Sequence, residues 1–301
     1  MSITGDIKET LEIQINELEA LQAVYPKEVS TSDHGNIADI NDYIAGKTID
    51  VPLRLEYEIE VPVDEVVVEL LINLPLDYPN VSPQVYCRSS ALDREEQLNF
   101  NKNLILFCES QTKGEPIVYY LINWIQDNAK QYFKRAEEHR NKKIVRKVSE
   151  DNSNKNICNE FGRYWIYSHH IYSYIKRRNI IDLAKESSLT GFSFIGKPGI
   201  ICLEGMLDDC EYFWQQIKSW HWHRIIIKFI EKDFEQTDDF NKYRKFTDFQ
   251  ELSFVNCDRQ TNHTVPLNFK NDTSQLLKFL RQHNSEHAFN QIFGFDTKCT
   301  E

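Results

Sequence analysis

The 301-residue chain is 41% hydrophobic and 27% charged, with few glycines and prolines, a globular composition long enough for two domains and unlike that of a disordered chain. No run approaches the roughly eighteen apolar residues that cross a bilayer, and the start, MSITGDIKET, lacks the basic-then-apolar pattern of a secretory leader, so no membrane partner is expected and the expected compartment is cytosol, nucleus or both. The net charge of −11 is uneven, with 8 lysines and arginines against 23 aspartates and glutamates in residues 1–129 but 27 against 23 in residues 130–301, so the first half repels nucleic acid while the second can carry a basic face.

The first element is a helix. Ile7, Leu11, Ile15, Leu18 and Leu21 recur every three or four positions until Tyr25-Pro26 stops the run. An edge strand is expected near Ile37–Tyr43. Residues 51–61 alternate Val51, Leu53, Leu55, Tyr57, Ile59, Val61 with Arg54, Glu56, Glu58, Glu60, the period of a half-buried strand. Strands at 66–75 and 83–88 complete an antiparallel meander. Helices follow at 91–110 and 117–140, separated by Gly114-Glu115-Pro116. Residues 141–160, which include VSEDNSNKNICNE, lose apolar periodicity and read as a linker between a domain at 1–140 and another at 161–301.

The second half reads as strand (163–173), helix (174–187), two strands across a tight turn (191–205), helix (208–219) and strand (221–231). That β-α-β-β-α-β order is the ferredoxin-like one, so the fold class is α+β. Pro198-Gly199 suits the centre of a type II turn. Extra strands are expected at 246–255 and 265–269, and a last helix capped by Asp272 or Thr273 runs to about Phe293, with Gly294 past its end.

The candidate chemistry is sparse. Cysteines at 87, 108, 158, 202, 210, 257 and 299 form no C-x-x-C pair, the usage of reduced thiols, and neither metal nor cofactor is expected. Gly191, Gly196 and Lys197 match a phosphate-binding loop in part, but Pro198 stands where Ser or Thr should hold Mg²⁺, and Phe192 and Phe194 alternate as in a strand. His169-His170 and His221/His223 are paired, with no third metal ligand in view. Basic residues cluster in RNKKIVRK (140–147) and in YIKRRN (174–179), the latter near the aromatic strand with Tyr164, Trp165, Tyr167 and Tyr172. Rings beside lysine and arginine suit base stacking with phosphate contact.

In the first half, one helix, four strands and two helices, with Tyr78-Pro79-Asn80-Val81-Ser82-Pro83 between the last strands, resemble the RWD domain over about residues 5–140. The RWD domain is the non-catalytic relative of ubiquitin-conjugating enzymes, so the resemblance implies a protein partner and no enzyme activity. Conjugating enzymes carry His-Pro-Asn shortly before the nucleophile, and the chain has none; Cys87 follows the turn too closely and Cys108 falls inside an apolar helix. Tyr78, Pro79 and Pro83 are therefore read as structural. The blocks YSHHIYS, GFSFIGKPGIICLEG and WQQIKSWHWHRI resemble the C-terminal domain of the spliceosomal pre-mRNA-processing factor three family over about residues 163–293. That resemblance implies a ferredoxin-like core that binds small nuclear RNA, and the combination is similar to the RWD domain-containing protein 2 group. The expected RNA face is Lys176, Arg177, Arg178 and Lys197, with His169, His170 and Tyr172 as stacking or edge contacts. The expected function is a two-domain adaptor binding protein through one half and structured RNA through the other. The alternative is a protein-interaction scaffold with no nucleic acid.

Overall fold

The computed structural model describes residues 3–31, 34–149, 160–220, 222–232, 240–254 and 272–294. The chain divides into two compact units, Met1–Lys155 and Asn156–Glu301.

The first unit runs α1 (Ile3–Val24), β1 (Val29–Ser30), α2 (His34–Ile44), β2 (Leu55–Val63), β3 (Val66–Leu74), β4 (Gln84–Arg88), α3 (Arg94–Ser110) and α4 (Val118–Ser149). Its strands form one antiparallel sheet in the order β1-β2-β3-β4. Alternation in β2 puts Leu55, Tyr57, Ile59, Val61 and Val63 into one core with Leu11 and Leu18 of α1, Phe100 and Leu104 of α3, and Leu121 and Ile125 of α4. Each such side chain contributes about 1.5–3 kcal/mol of transfer free energy on burial, so this seam holds the helices on the sheet. The expected strand at 37–43 is instead helix α2. Ile40 and Tyr43 are one helical turn apart and both buried, and the Asn36 amide donates to the Arg54 carbonyl at 3.0 Å, so the helix docks beside the entry to β2; the edge strand is the two-residue β1. Helix α3 starts later than expected because Asp93, accepting from the Glu96 amide at 2.9 Å, caps it. Helix α4 continues to Ser149, into the segment read as a linker.

The second unit runs β5 (Phe161–Ser168), α5 (Tyr174–Glu186), β6 (Thr190–Phe194), β7 (Gly199–Met206), α6 (Leu207–Ser219), β8 (Ile225–Glu231), a 3-10 turn (Phe240–Tyr243), β9 (Phe249–Leu252), α7 (Thr273–Gln282) and α8 (Glu286–Phe293). The sheet order is β8-β5-β7-β6-β9, antiparallel except for the parallel β6-β9 pair. The first six elements thus form a split β-α-β arrangement extended by one strand. Both faces of the sheet are covered. Tyr164, Ile166 and Leu203 pack with Ile180 of α5 and Phe213 and Ile217 of α6, whereas Trp165, Phe192, Phe194 and Ile200 pack with Leu276 and Leu280 of α7 and Ile292 of α8. That two-sided burial explains why β5 and β7 are apolar almost throughout.

Three expectations are corrected here. The last helix is two, because Asn284 takes a left-handed φ of 51° between α7 and α8. The β6-β7 turn is not type II at Pro198-Gly199: Gly199 opens β7 without the positive φ that such a turn requires, the left-handed residue is Gly196, and Lys197-Pro198 is cis. The expected strand at 221–231 begins only at Ile225. Of the extra strands, β9 falls within 246–255, while 265–269 lies outside the described residues.

Candidate functional site

Four segments of the second unit meet at one end of its sheet: the exit of β5, the first turn of α5, the β6-β7 turn and the approach to β8. The His169 amide donates to the Arg224 carbonyl at 3.0 Å, and Ile171 and Gly196 exchange two backbone hydrogen bonds of 3.0 Å. Gly199 permits that closeness, since a Cβ there would lie 2.4 Å from Cγ1 of Ile171. The Ser173 hydroxyl accepts from the Lys176 amide at 3.2 Å and caps α5.

The result is a cluster of rings edged by cations. His169 stacks on His223 with centroids 4.4 Å apart, His170 stacks on Tyr172 at 4.9 Å, and the two pairs meet edge-on at 5.4 Å between His169 and His170. The Lys176 ammonium sits 4.9 Å from the Trp222 ring, and Trp222 lies against Trp220 and donates from Nε1 to the Ile217 carbonyl at 2.6 Å. Lys197, His223 and Arg224 are exposed; His169, His170, Tyr172, Lys176 and Trp222 are half-buried. Burial, then His169 and Lys176, push the His170 imidazole down to about 4, and burial with Lys197 and His223 lowers His169. Both rings are therefore neutral at pH 7, and Lys176, Lys197 and Arg224 supply the positive charge. Flat neutral rings inside a cationic rim can stack a base and hold its phosphate.

Of the seven expected residues, His169, His170, Tyr172, Lys176 and Lys197 come together here. Arg177 does not. Its guanidinium grips Glu251 of β9 through Nε at 2.8 Å and Nη2 at 2.6 Å, tying α5 to the sheet edge. Arg178 lies 3.6 Å from Asp182 one turn along α5. Trp222, His223 and Arg224 complete the face and were missed as a group. Their signal was the run WHWHR, read as a strand with His221 and His223 on one side; His221 lies outside the described residues. Among the described residues no cluster of histidine, cysteine or carboxylate has the geometry for a metal.

In the first unit the Tyr-Pro segment is tied down. Tyr78, Pro79 and Pro83 are buried. The Tyr78 hydroxyl donates to Oε2 of Glu17 at 2.8 Å and accepts from the Ile117 amide at 2.7 Å, while Oε1 of Glu17 accepts from the Val118 amide at 2.9 Å. Gln14 donates to the carbonyls of Pro75 and Tyr78, and Gly114 to that of Pro79. The segment thus fastens α1 to the start of α4. Cys87, fully buried on β4, has its amide held by Oδ1 of Asn101 at 2.6 Å and its carbonyl by Gln97 and Asn101. Burial pushes its thiol well up and pushes Cys108 up to about 12, the opposite of what a thioester-forming thiolate needs.

Residues 12–129 match the family model of the RWD domain, and residues 164–292 match that of the small nuclear ribonucleoprotein Prp3, C-terminal domain. The chain is 40% identical over 63 residues to the phomoidride biosynthesis cluster protein F of a fungus (Fungal sp.), covering 21% of each. It is 32% identical over 73 residues to human RWD domain-containing protein 3, covering 24% of this chain and 27% of that one. It thus spans well under half the length of these curated relatives. The solution structure of the RWD domain of mouse GCN2 is 22% identical, with a TM-score of 0.32 over 38% of this chain and 82% of that one. The chain therefore carries an RWD domain followed by a domain of the Prp3 C-terminal kind. No enzyme family is indicated by these two matches, and among the described residues no helix is long and apolar enough to cross a membrane.

Proposed function

We propose that this chain is a non-enzymatic adaptor of the RWD domain-containing protein 2 group, working in the nucleus, the cytoplasm or both. The RWD domain holds a protein partner, and the second, ferredoxin-like domain holds structured RNA. The observation that carries the RNA half is the convergence of Lys176, Lys197 and Arg224 around the stacked pairs His169–His223 and His170–Tyr172. It supports recognition of an unpaired nucleotide, whose base stacks on the rings while its phosphate meets the cations. A pure phosphate tracker would need no such rings.

The test is fluorescence anisotropy of the full chain with a duplex RNA bearing a single-stranded 3′ tail, across a salt series, beside a Lys176→Ala/Lys197→Ala/Arg224→Ala variant. We expect affinity to fall with salt and the triple variant to lose about 2 kcal/mol or more, with a shallower salt slope. A blunt duplex should bind less tightly than the tailed one. Absence of binding at low salt would overturn the RNA half and leave a protein-interaction scaffold.

A further inference from the structure

The opposite end of β5 carries a second concentration of charge. Arg163 pairs in register with Glu204 on β7 and Glu231 on β8, while the ring cluster lies beyond Ser168. At about 3.3 Å per residue the two ends are well over 15 Å apart. A cleft of about 580 Å³ opens here, lined among others by Arg163, Glu231, Lys242, Arg244, Lys245 and Gln282. We propose that this cleft is an anion-binding site for a compact phosphate-bearing ligand, separate from the face around His169 and Trp222.

The floor is fixed. Arg163, 1% exposed, donates from Nε to Oε2 of Glu204 at 2.6 Å, from Nη1 to Glu231 and from Nη2 to the Tyr243 carbonyl at 2.6 Å. Those two carboxylates exceed the one guanidinium by a single negative charge, and Lys242, Arg244 and Lys245 bring three positive ones. The cleft is therefore cationic by what lines it. Its walls are also braced. Arg244 donates to the Thr190 hydroxyl at 2.8 Å and to the Ser188 carbonyl at 3.1 Å, and the Lys245 ammonium donates one N–H to the Asn284 carbonyl at 2.8 Å.

Those contacts are with neutral acceptors, which orient the cations without cancelling their charge. Lys242 is exposed, lies 4.7 Å from the Tyr243 ring and makes no ion pair among the described residues. Burial, then the charge of Arg163, lowers the Lys245 ammonium, so a bound anion would relieve a cost already present in the fold. His283 braces the wall, its Nδ1 donating to the Lys245 carbonyl at 2.9 Å. The volume suits a mononucleotide-sized ligand, since small-ligand sites commonly span about 300–1,000 Å³.

The test is isothermal titration calorimetry of the full chain with sodium pyrophosphate at constant ionic strength, with chloride and sulfate as controls. We expect saturable one-to-one binding, weakened about tenfold or more by Lys242→Glu through loss of a charge-assisted contact. Among the described residues Lys242 is exposed and loses only its contact with the Tyr243 ring, so that variant should fold, as thermal unfolding would show. Binding should persist in Lys176→Ala/Lys197→Ala, which separates this site from the RNA face. A mononucleotide should compete. No saturable heat, loss in the Lys176/Lys197 variant, or indifference to Lys242→Glu would overturn the proposal. So would displacement by an oligonucleotide lacking terminal phosphates but not by a mononucleotide, which would reassign the cleft to a nucleic-acid backbone.

Discussion

Replacing Tyr78 by phenylalanine tests whether the Tyr-Pro segment is a fastening or a recognition element. The ring is 1% exposed, and Tyr78→Phe keeps its packing while deleting only the hydroxyl. Two bonds go with it: the one donated to the Glu17 carboxylate at 2.8 Å and the one accepted from the Ile117 amide at 2.7 Å. A hydrogen bond to a charged group contributes about 1.5–3 kcal/mol, and a buried amide left without an acceptor costs about 1–3 kcal/mol. The two losses share one atom and do not add in full, so about 2–4 kcal/mol is expected. For a domain of this size each kcal/mol lowers Tm by roughly 3 °C, giving a drop of about 6–12 °C in one transition. Calorimetry of the full chain should show that drop with the other transition unmoved, and amide exchange at Ile117 should accelerate. A shift equivalent to less than about 0.5 kcal/mol, within the ordinary range of surface changes, together with weakened partner binding, would refute the reasoning and make the hydroxyl a contact residue.

The fold was legible where one period dominates. Alternation from Val51 to Val61 specified the body of β2, which runs Leu55–Val63 and so starts four residues later than expected, and the α1 stripe through Leu11 and Leu18 is the buried one. It failed where a window is short. Ile37, Ile40 and Tyr43 obey a helical spacing, but three positions cannot separate a helix from a strand until Asn36 is seen anchoring the segment at Arg54. The break at Asn284 had a signal in the tolerance of asparagine for left-handed backbone, yet Leu276, Leu280, Ala288 and Ile292 keep a common apolar spacing across it. For the site, residue type was readable and destination was not. Lys176 and Arg177 are neighbours in one basic run, and the fold sends the first to Trp222 and the second to Glu251. Helical geometry turns successive side chains by about 100°, so adjacent charges on a helix face different surroundings. The cleft at Arg163 was invisible for a similar reason: β5, the segment before β9 and the α7-α8 junction are distant in sequence.

The fastening at Cys87 predicts that Asn101→Leu costs about 2–3 kcal/mol, because it leaves the Cys87 amide buried without an acceptor, measured by urea unfolding. Arg177→Ala should lower the stability of the second domain while leaving RNA affinity within about twofold, because its two bonds to Glu251 act within the fold; a collapse of RNA affinity at unchanged stability would restore it to the interface. Arg163→Met leaves Glu204, 0% exposed, without its counter-charge, and should cost about 3–5 kcal/mol or prevent folding of that domain. Acidification should separate the two domains, because Glu17 in the first and Glu231 in the second, both half-buried, are perturbed in opposite senses. Burial alone would raise Glu231, but Arg163 and the bonds from Trp165 and His287 hold it below its ordinary 4.5. Its contribution is therefore present above that value and lost as pH falls through the lower folded one. Burial of Glu17 outweighs the bonds from Val118 and Tyr78 and raises it above 4.5, so its ionised form carries a cost at neutral pH that is relieved as pH falls through its raised value. The first half, with 23 acidic residues against 8 basic ones in residues 1–129, also sheds self-repulsion in that range. Calorimetry from pH 7 to 4 should show the second-domain transition losing more than the first below about 4.5, and parallel movement of the two would refute the assignment of these environments.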